Sequence, residues 1–311
     1  MSKKQNEIEI IQYSSMEGIT VFFNTLFYRT PHQHQVLEIL WCLDNSMEVI
    51  IQNEAIKVSA GDVILFNPEE LHELRGAEEG TVFLCLQIDL SDNSWSKRYK
   101  NLQFDGHRVG DFVEKKELSK ITAEIADIAK MYYQKDDGYE LYCSGKALLL
   151  LYHLMEKVPY RILTIGEATE RRRKSERMER LLQFVDKNYM NKIRLTDFAE
   201  KEQCSVSYLS HLVKETLNQS FQEYVCAVRL NEACRMISGD ADKLIDVCEE
   251  SGFSDYRYFC KAFKERFNML PEQYRQNAQS LPSTVKEHYS PHSREVRYSE
   301  QESLKMIKKY L

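Results

Sequence analysis

One stretch of this chain is written twice. Residues 208–224 and 258–274 align at an offset of 50 residues, with Tyr208/Tyr258, Lys214/Lys264, Glu215/Glu265, Asn218/Asn268 and Tyr224/Tyr274 identical. Leu209/Phe259, Leu212/Ala262, Val213/Phe263 and Leu217/Phe267 keep their apolar character. A repeated sequence folds as a repeated unit. A solenoid needs about three or more stacked copies, so two copies specify a duplicated helical subdomain instead. Each copy has the grammar of a helix-turn-helix. In the first, Thr196 is placed to cap a helix carrying Phe198 and Ala199. Gln203-Cys204 then makes a turn, and Ser205 caps a second helix that buries Leu209, Leu212 and Val213. In the second copy, Leu244, Ile245, Val247 and Cys248 form the first helix, and Ser251-Gly252 turns because glycine tolerates positive φ. Ser254 or Asp255 caps the next helix, which buries Phe259, Ala262 and Phe263. Asn218 and Asn268 read as left-handed residues that close the second helices. Phe221 to Ile237 reads as one long helix stopped by Gly239.

A helix-turn-helix lays its second helix in the DNA major groove, so that helix needs a polar outer face. The first copy offers Ser207, Ser210, His211 and Lys214, and the second Tyr256, Arg257, Cys260, Lys261 and Lys264. The wording around these residues is specific. Leu-Thr-Asp-Phe-Ala (195–199), Ser-Val-Ser-Tyr-Leu-Ser (205–210), Arg-Leu-Asn-Glu-Ala (229–233), Ser-Gly-Phe-Ser-Asp (251–255), Tyr-Phe-Cys-Lys-Ala-Phe-Lys (258–264) and Pro-Glu-Gln-Tyr-Arg (271–275) follow in order. Together they resemble the DNA-binding domain of the AraC family of bacterial transcription regulators. Two departures stand out: Asn218 and Asn268 where the family usually has glycine, and Val247-Cys248 where it usually has Ile-Ala. Asn also adopts the left-handed conformation and Cys is nearly as small as Ala, so both suit the fold. The resemblance implies seven helices whose two recognition helices enter successive major grooves. Ser207, Ser210 and His211 then face bases in one groove, and Tyr256, Arg257, Cys260 and Lys261 in the next. Arg257 suits bidentate contact to guanine, and Lys214 and Lys264 suit phosphates.

Charge agrees with this division. The net charge is −6, but residues 1–160 hold 16 basic and 25 acidic residues, and the remainder 26 basic and 23 acidic. Phosphate binding therefore belongs to the second half. A length of 311 residues suits two domains, and 43% hydrophobic with 29% charged residues excludes a mainly disordered chain. None of the eight cysteines has C-x-x-C spacing, which argues against a zinc ribbon or thioredoxin-like site and for reduced thiols in a cytoplasm. The N-terminus lacks a signal-like apolar region, and the greasiest run, Ala147 to Met155, falls short of the about 20 residues a membrane span needs.

Residues 8–90 read as short strands: 20–23, 37–43, 47–52, 55–58, 62–66 and 81–90, separated by turn signals such as Asn67-Pro68. This spacing suits a β-barrel or jelly roll. From about 111 the period becomes helical, and a second helix fits Leu141 to Lys157, giving an α-helical hairpin. Residues 158–176 read as a solvated linker carrying Arg171-Arg172-Arg173-Lys174, residues 177–277 as the DNA-binding domain, and 278–311 as a tail without a functional account.

Pro31 to Glu38 contains H-x-H-x-x-x-E, and His72 follows Gly61 and Pro68. Residues two apart share a face of a strand, so His32, His34, Glu38 and His72 can converge inside a barrel. This resembles the two cupin motifs; in metal-dependent cupin enzymes three His and one Glu hold the metal. The same barrel forms the effector domain of many AraC-type regulators, where it usually binds a small molecule without metal. Polar effector contacts, a divalent metal site and structurally satisfied barrel residues are the competing readings. Trp41, Phe22, Phe66 and Tyr28 are candidates to line such a pocket. The leucine-rich helices between 116 and 157 imply, by the same resemblance, a homodimer.

The expectation is therefore a cupin-like N-terminal β-barrel with a following helical hairpin (8–157), joined to a C-terminal all-α double helix-turn-helix domain. Such a chain is a non-enzymatic cytoplasmic regulator. It binds double-stranded DNA under control of a small effector, a sugar being one candidate, at His32, His34, Glu38, Trp41 and His72. No cofactor or metal is assigned, and RNA polymerase is a further partner that such a regulator implies. The rival is a metal-dependent cupin enzyme fused to a DNA-binding domain.

Overall fold

The computed structural model describes residues 16–51, 54–91, 98–217, 219–238, 243–267, 269–279, 288–289 and 293–311. Residues 8–15, Asn218, Gly239 and Asn268, to which the sequence assigned roles or boundaries, lie outside the described residues. The chain divides into two compact units, one of residues 1–173 with 295–311, the other of residues 174–294.

The first unit begins with strands β1 (Ile19–His32), β2 (Leu37–Asp44), β3 (Ser46–Ile51), β4 (Glu54–Ser59), β5 (Val63–Phe66), β6 (His72–Gly76) and β7 (Thr81–Ile88). They pair in the order β4-β3-β6-β1-β7-β2-β5, a nearly closed antiparallel barrel. Strand alternation separates two cores. Phe22, Leu26, Leu40, Cys42, Phe66, Phe83 and Cys85 fill the inside. Ile19, Val21, Leu37, Ile39, Leu84 and Leu86 point outward, beneath the helices. Burial on both faces explains why β7 carries the continuous apolar run Val82–Leu86 rather than an alternating one. The cover is the expected helical hairpin, α1 (Lys115–Gln134) and α2 (Tyr139–Lys157), turned through the left-handed residues Lys135 and Gly138. Strands β8 (Leu102–Phe104) and β9 (Tyr160–Ile162) pair with one another. The segment 158–176, read as a linker, thus holds β9 and the start of a 24-residue helix, α3 (Ile165–Asn188).

The second unit contains the rest of α3, then α4 (Leu195–Lys201), α5 (Val206–Leu217), α6 (Phe221–Ser238), α7 (Leu244–Glu250), α8 (Tyr256–Phe267) and α9 (Pro271–Gln279). Among the described residues these make the seven helices implied by the resemblance. Leu230, Ala233, Cys234 and Ile237 of α6 pack with Val247, Cys248, Phe259, Ala262 and Phe263 into one core. The caps at the second helices are as read: the Tyr208 N–H donates to Ser205 Oγ at 3.2 Å and the Tyr258 N–H to Asp255 Oδ1 at 2.6 Å. Thr196 is a correction. Helix α4 is capped from Arg194, whose N–H donates to Asp197 Oδ2 at 3.0 Å, which leaves Thr196 inside the first turn. Gly252 is required where it stands. Its φ is +89°, and an added Cβ would lie 2.7 Å from the Tyr189 carbonyl oxygen and 2.8 Å from Met190 Cα.

After β10 (His288–Tyr289), the tail returns to the first unit. Strand β11 (Ser293–Arg297) pairs with β1, and α10 (Glu300–Tyr310) inserts Met306 into the core outside the barrel. Among the described residues no helix is long and apolar enough to cross a membrane.

Candidate functional site

Three side chains meet at one end of the barrel interior. Glu38 lies on the inward face of β2, opposite Phe66 of β5 and Gln87 of β7. His72 opens β6, paired with His32 of β1 and Ile51 of β3. His34 stands in the short connection between β1 and β2. One ligand atom from each of His34, Glu38 and His72 falls within 4.8 Å of the others, and all three residues are buried. His32, half-buried, sets its ring centroid 4.2 Å from that of His72. Phe66 stacks on His72 at 4.0 Å.

The hydrogen bonds fix the chemistry these groups present. The Nδ1 atoms of His32, His34 and His72 lie 2.9–3.0 Å from the carbonyl oxygens of Thr30, Val36 and Glu70. A carbonyl only accepts, so each Nδ1 carries the proton, and in the neutral ring Nε2 is a lone pair. His72 Nε2 is buried and has no hydrogen-bond partner among the described residues. His34 Nε2 faces Glu38 Oε2 at 3.0 Å, a contact that needs a proton or a cation between the two atoms. Gln87 Nε2 donates to the same carboxylate at 2.7 Å. Burial pushes the His72 imidazole down to about 3, helped by the neighbouring His34 charge. Burial and then the charge of Arg29 lower His32 well below the usual histidine value. For Glu38, burial raises the pKa, but the charge and hydrogen bond of His34, with His72 and Gln87, outweigh it and hold the carboxyl ionised. The cluster presents the Glu38 carboxylate, already engaged by His34 and Gln87, and the Nε2 lone pairs of His72 and His32, and it offers few donors.

Trp41 does not join it. It lies an odd number of positions from Glu38 on β2, so it faces outward and packs with the core beneath the helices. Phe22 belongs to the interior core, and Tyr28 pairs with Arg75 across β1 and β6. Gln87 went unnoticed in the sequence. Its signal is a polar residue two positions after the buried Cys85 on the face of β7 that turns inward.

The second candidate surface is on the helical unit. Ser207, Ser210, His211 and Lys214 are exposed at i, i+3, i+4 and i+7 along α5, one helix face. Arg257, Lys261 and Lys264 repeat the pattern on α8, with Tyr256 exposed beside them. Cys260 is half-buried and packs against the core of this unit. Both helices bury the opposite stripe, Leu209, Leu212 and Val213 in α5 and Phe259, Ala262 and Phe263 in α8. Each copy therefore presents polar side chains on a helix held rigidly from behind.

Residues 198–277 match the family model described as a helix-turn-helix domain. Over 285 residues the chain is 23% identical to an uncharacterised HTH-type transcriptional regulator of Bacillus subtilis, YdeC, covering 87% of this chain and 96% of the relative. It is 26% identical to the Msm operon regulatory protein of Streptococcus mutans, with 78% and 84% covered. It is 20% identical to the melibiose operon regulatory protein of Escherichia coli, with 91% and 95% covered.

Proposed function

We propose that this chain is a DNA-binding transcriptional regulator of the AraC type, and that its DNA affinity is set by a small hydroxylated effector, a sugar or similar polyol, held at His34, Glu38 and His72. The observation that carries this is the buried convergence of a carboxylate and imidazole lone pairs. A cluster richer in acceptors than in donors selects a ligand rich in donors, and sugar hydroxyls are that. The relative named for the melibiose operon supports the same class. A thermal-shift panel of sugars and polyols tests it. A ligand present at 100 times its Kd stabilises by about 2.7 kcal/mol, and the responding compound should also alter affinity for a duplex selected from a randomised pool. A panel without any response speaks against a hydroxylated effector.

On the DNA side, α5 reads one major groove through Ser207, Ser210 and His211, and α8 the next through Tyr256, Arg257 and Lys261. Lys214 and Lys264 hold phosphates. Exposure of Leu141, Leu149 and Tyr152 on α2 supports pairing of two copies through the helical hairpin. Sedimentation of the purified chain tests that, with Leu149→Lys expected to shift it toward monomer.

A second reading is favoured by the unpartnered Nε2 of His72. His34, His72 and Glu38, with His32 adjacent, form a donor set that suits a divalent metal such as Zn, Fe, Ni or Mn. Their Nδ1 protons are already held by carbonyls, as metal-bound imidazoles require. A bound metal would supply Lewis acidity or an anchor for the effector. Metal content by mass spectrometry, and visible absorption after loading with cobalt, should then both be lost in Glu38→Gln. Metal-free protein that still answers the sugar panel would retire this reading.

A further inference from the structure

The helical unit is an insertion in the barrel unit: the chain leaves after Arg173 and re-enters at Glu295. Close to each crossing, within the barrel unit, an ion pair ties the connecting element to the barrel. On the way out, Arg171 of α3 lies 3.7 Å from the buried Glu70 carboxylate. That carboxylate accepts from the Asn67 N–H and Nδ2 at 3.0 and 3.1 Å, and His107 Nδ1 lies 3.6 Å from it. On the way back, Glu295 of β11 accepts from Asn24 Nδ2 and lies 3.9 Å from Arg29 of β1.

Both ties end beside the histidine cluster. The Glu70 carbonyl accepts the His72 Nδ1 proton. Glu69, just before it, holds a left-handed φ of +60° while its N–H donates to the His34 carbonyl at 2.7 Å. His34 and His72 thus grip both ends of the turn that carries Glu70. Strain in a non-glycine residue at such a turn is the kind that switch segments store. Arg29 stands three residues before His32, with an irregularity of the β1–β6 register between them.

We propose that Arg171–Glu70 and Glu295–Arg29 are the two anchors through which the histidine cluster and the DNA-binding unit bias one another. This rests on the regulator reading above. A ligand that draws His34 and His72 together moves the Glu70 turn and strand β1, and so both ends of the inserted unit. Linkage is reciprocal, so DNA must act back on the barrel to the same extent. That makes DNA itself a sufficient probe.

The experiment uses the full chain and a duplex that the chain selects from a randomised pool. Amide hydrogen exchange is read in residues 67–76 and 293–310 with and without saturating duplex. Exchange in both segments should change about fivefold or more on DNA binding, the lower range of measured couplings. Arg171→Gln should lose the change in 67–76, Glu295→Gln that in 293–310, and the double variant both, while each still binds the duplex and melts cooperatively. Arg171→Lys should retain it. These side chains are partly exposed, so neutral replacements fit without repacking. Unchanged exchange in wild type at saturation, or an undiminished change in the double variant, overturns the proposal and leaves the regulator reading intact. A chain that selects no duplex overturns that reading, and the anchors fall with it.

Discussion

Glu38 and His72 are ionisable groups with almost no water around them, and that gives the barrel an acid limit. His72 titrates at about 3 in the fold against an ordinary 6.5. Below about pH 6.5 the unfolded chain gains a proton that the native chain refuses, so stability falls with pH through that window until about 3. Glu38 acts in the same direction, since its lowered pKa contributes stability above the unfolded value that is lost in acid. Chelator-treated protein should therefore melt progressively lower between about pH 7 and about pH 4, and His72→Asn should flatten the upper part of that decline. A flat wild-type profile would mean that His72 is protonated in the fold. At the proposed DNA surface the residue to test is Arg257, which is exposed on α8. Arg257→Ala should cost about 1–3 kcal/mol of specific binding and relax preference at one base pair. Full operator affinity in a helical mutant would show the assigned face to be wrong. Glu38 was legible because side chains on strands keep a period of two, whereas His34, in the connection between β1 and β2, joins the cluster outside that period. Trp41 was misplaced for neglect of that period, since its odd separation from Glu38 already turned it outward.

At the scale of elements, the repeat was the most legible feature, and its one irregularity lies in the turn. Helices α4 and α7 start 49 residues apart, Leu195 and Leu244, whereas α5 and α8 start 50 apart, Val206 and Tyr256. Gln203, at φ +51°, and Gly252, at +89°, hold the same place two residues past their helices. Only the glycine meets backbone where its side chain would be. Gly252→Ala should cost about 2 kcal/mol or more, from the left-handed backbone and from the clash with Tyr189 and Met190. A thermal melt reads this, and an unchanged Tm would deny the close approach. The twin lysines test the other half of the repeat. Lys214→Ala and Lys264→Ala should each weaken binding to every sequence and lower the salt slope by about 1. Equal slopes in wild type and both mutants would remove these lysines from the phosphate contacts. Strand β6 was missed because His-Glu-Leu-Arg-Gly carries charges at the strand edge, and its place between β3 and β1 makes it a strand. The same limit hid α3, whose charged first half reads as solvated chain until the Glu70 contact is known.

At the scale of the molecule, the division into a β-barrel and a helical unit followed from the change of hydrophobic period along the chain. The return of the tail did not. The pairing of β11 with β1 joins residues some 270 apart, as between Asn24 and Glu295, and no local pattern encodes such a partner. What the two-unit arrangement does predict is a separation of tasks. The residues proposed to face the DNA grooves lie in the helical unit and the histidine cluster in the barrel unit. An effector changes DNA affinity only through its differential affinity for two states of the protein. Replacing His34 and His72 by alanine in the full chain removes the contacts that create that difference and leaves the unliganded equilibrium in place. Affinity for the selected duplex should then stay within about twofold of wild type, below the roughly fivefold or more of typical allosteric couplings. The thermal shift with the responding sugar, and the effect of that sugar on DNA binding, should both disappear. A normal ligand response in the soluble double variant would move the effector site elsewhere in the chain. Loss of duplex affinity without ligand would mean that the histidines hold the basal state itself, so the cluster would be part of the DNA-binding conformation rather than its sensor.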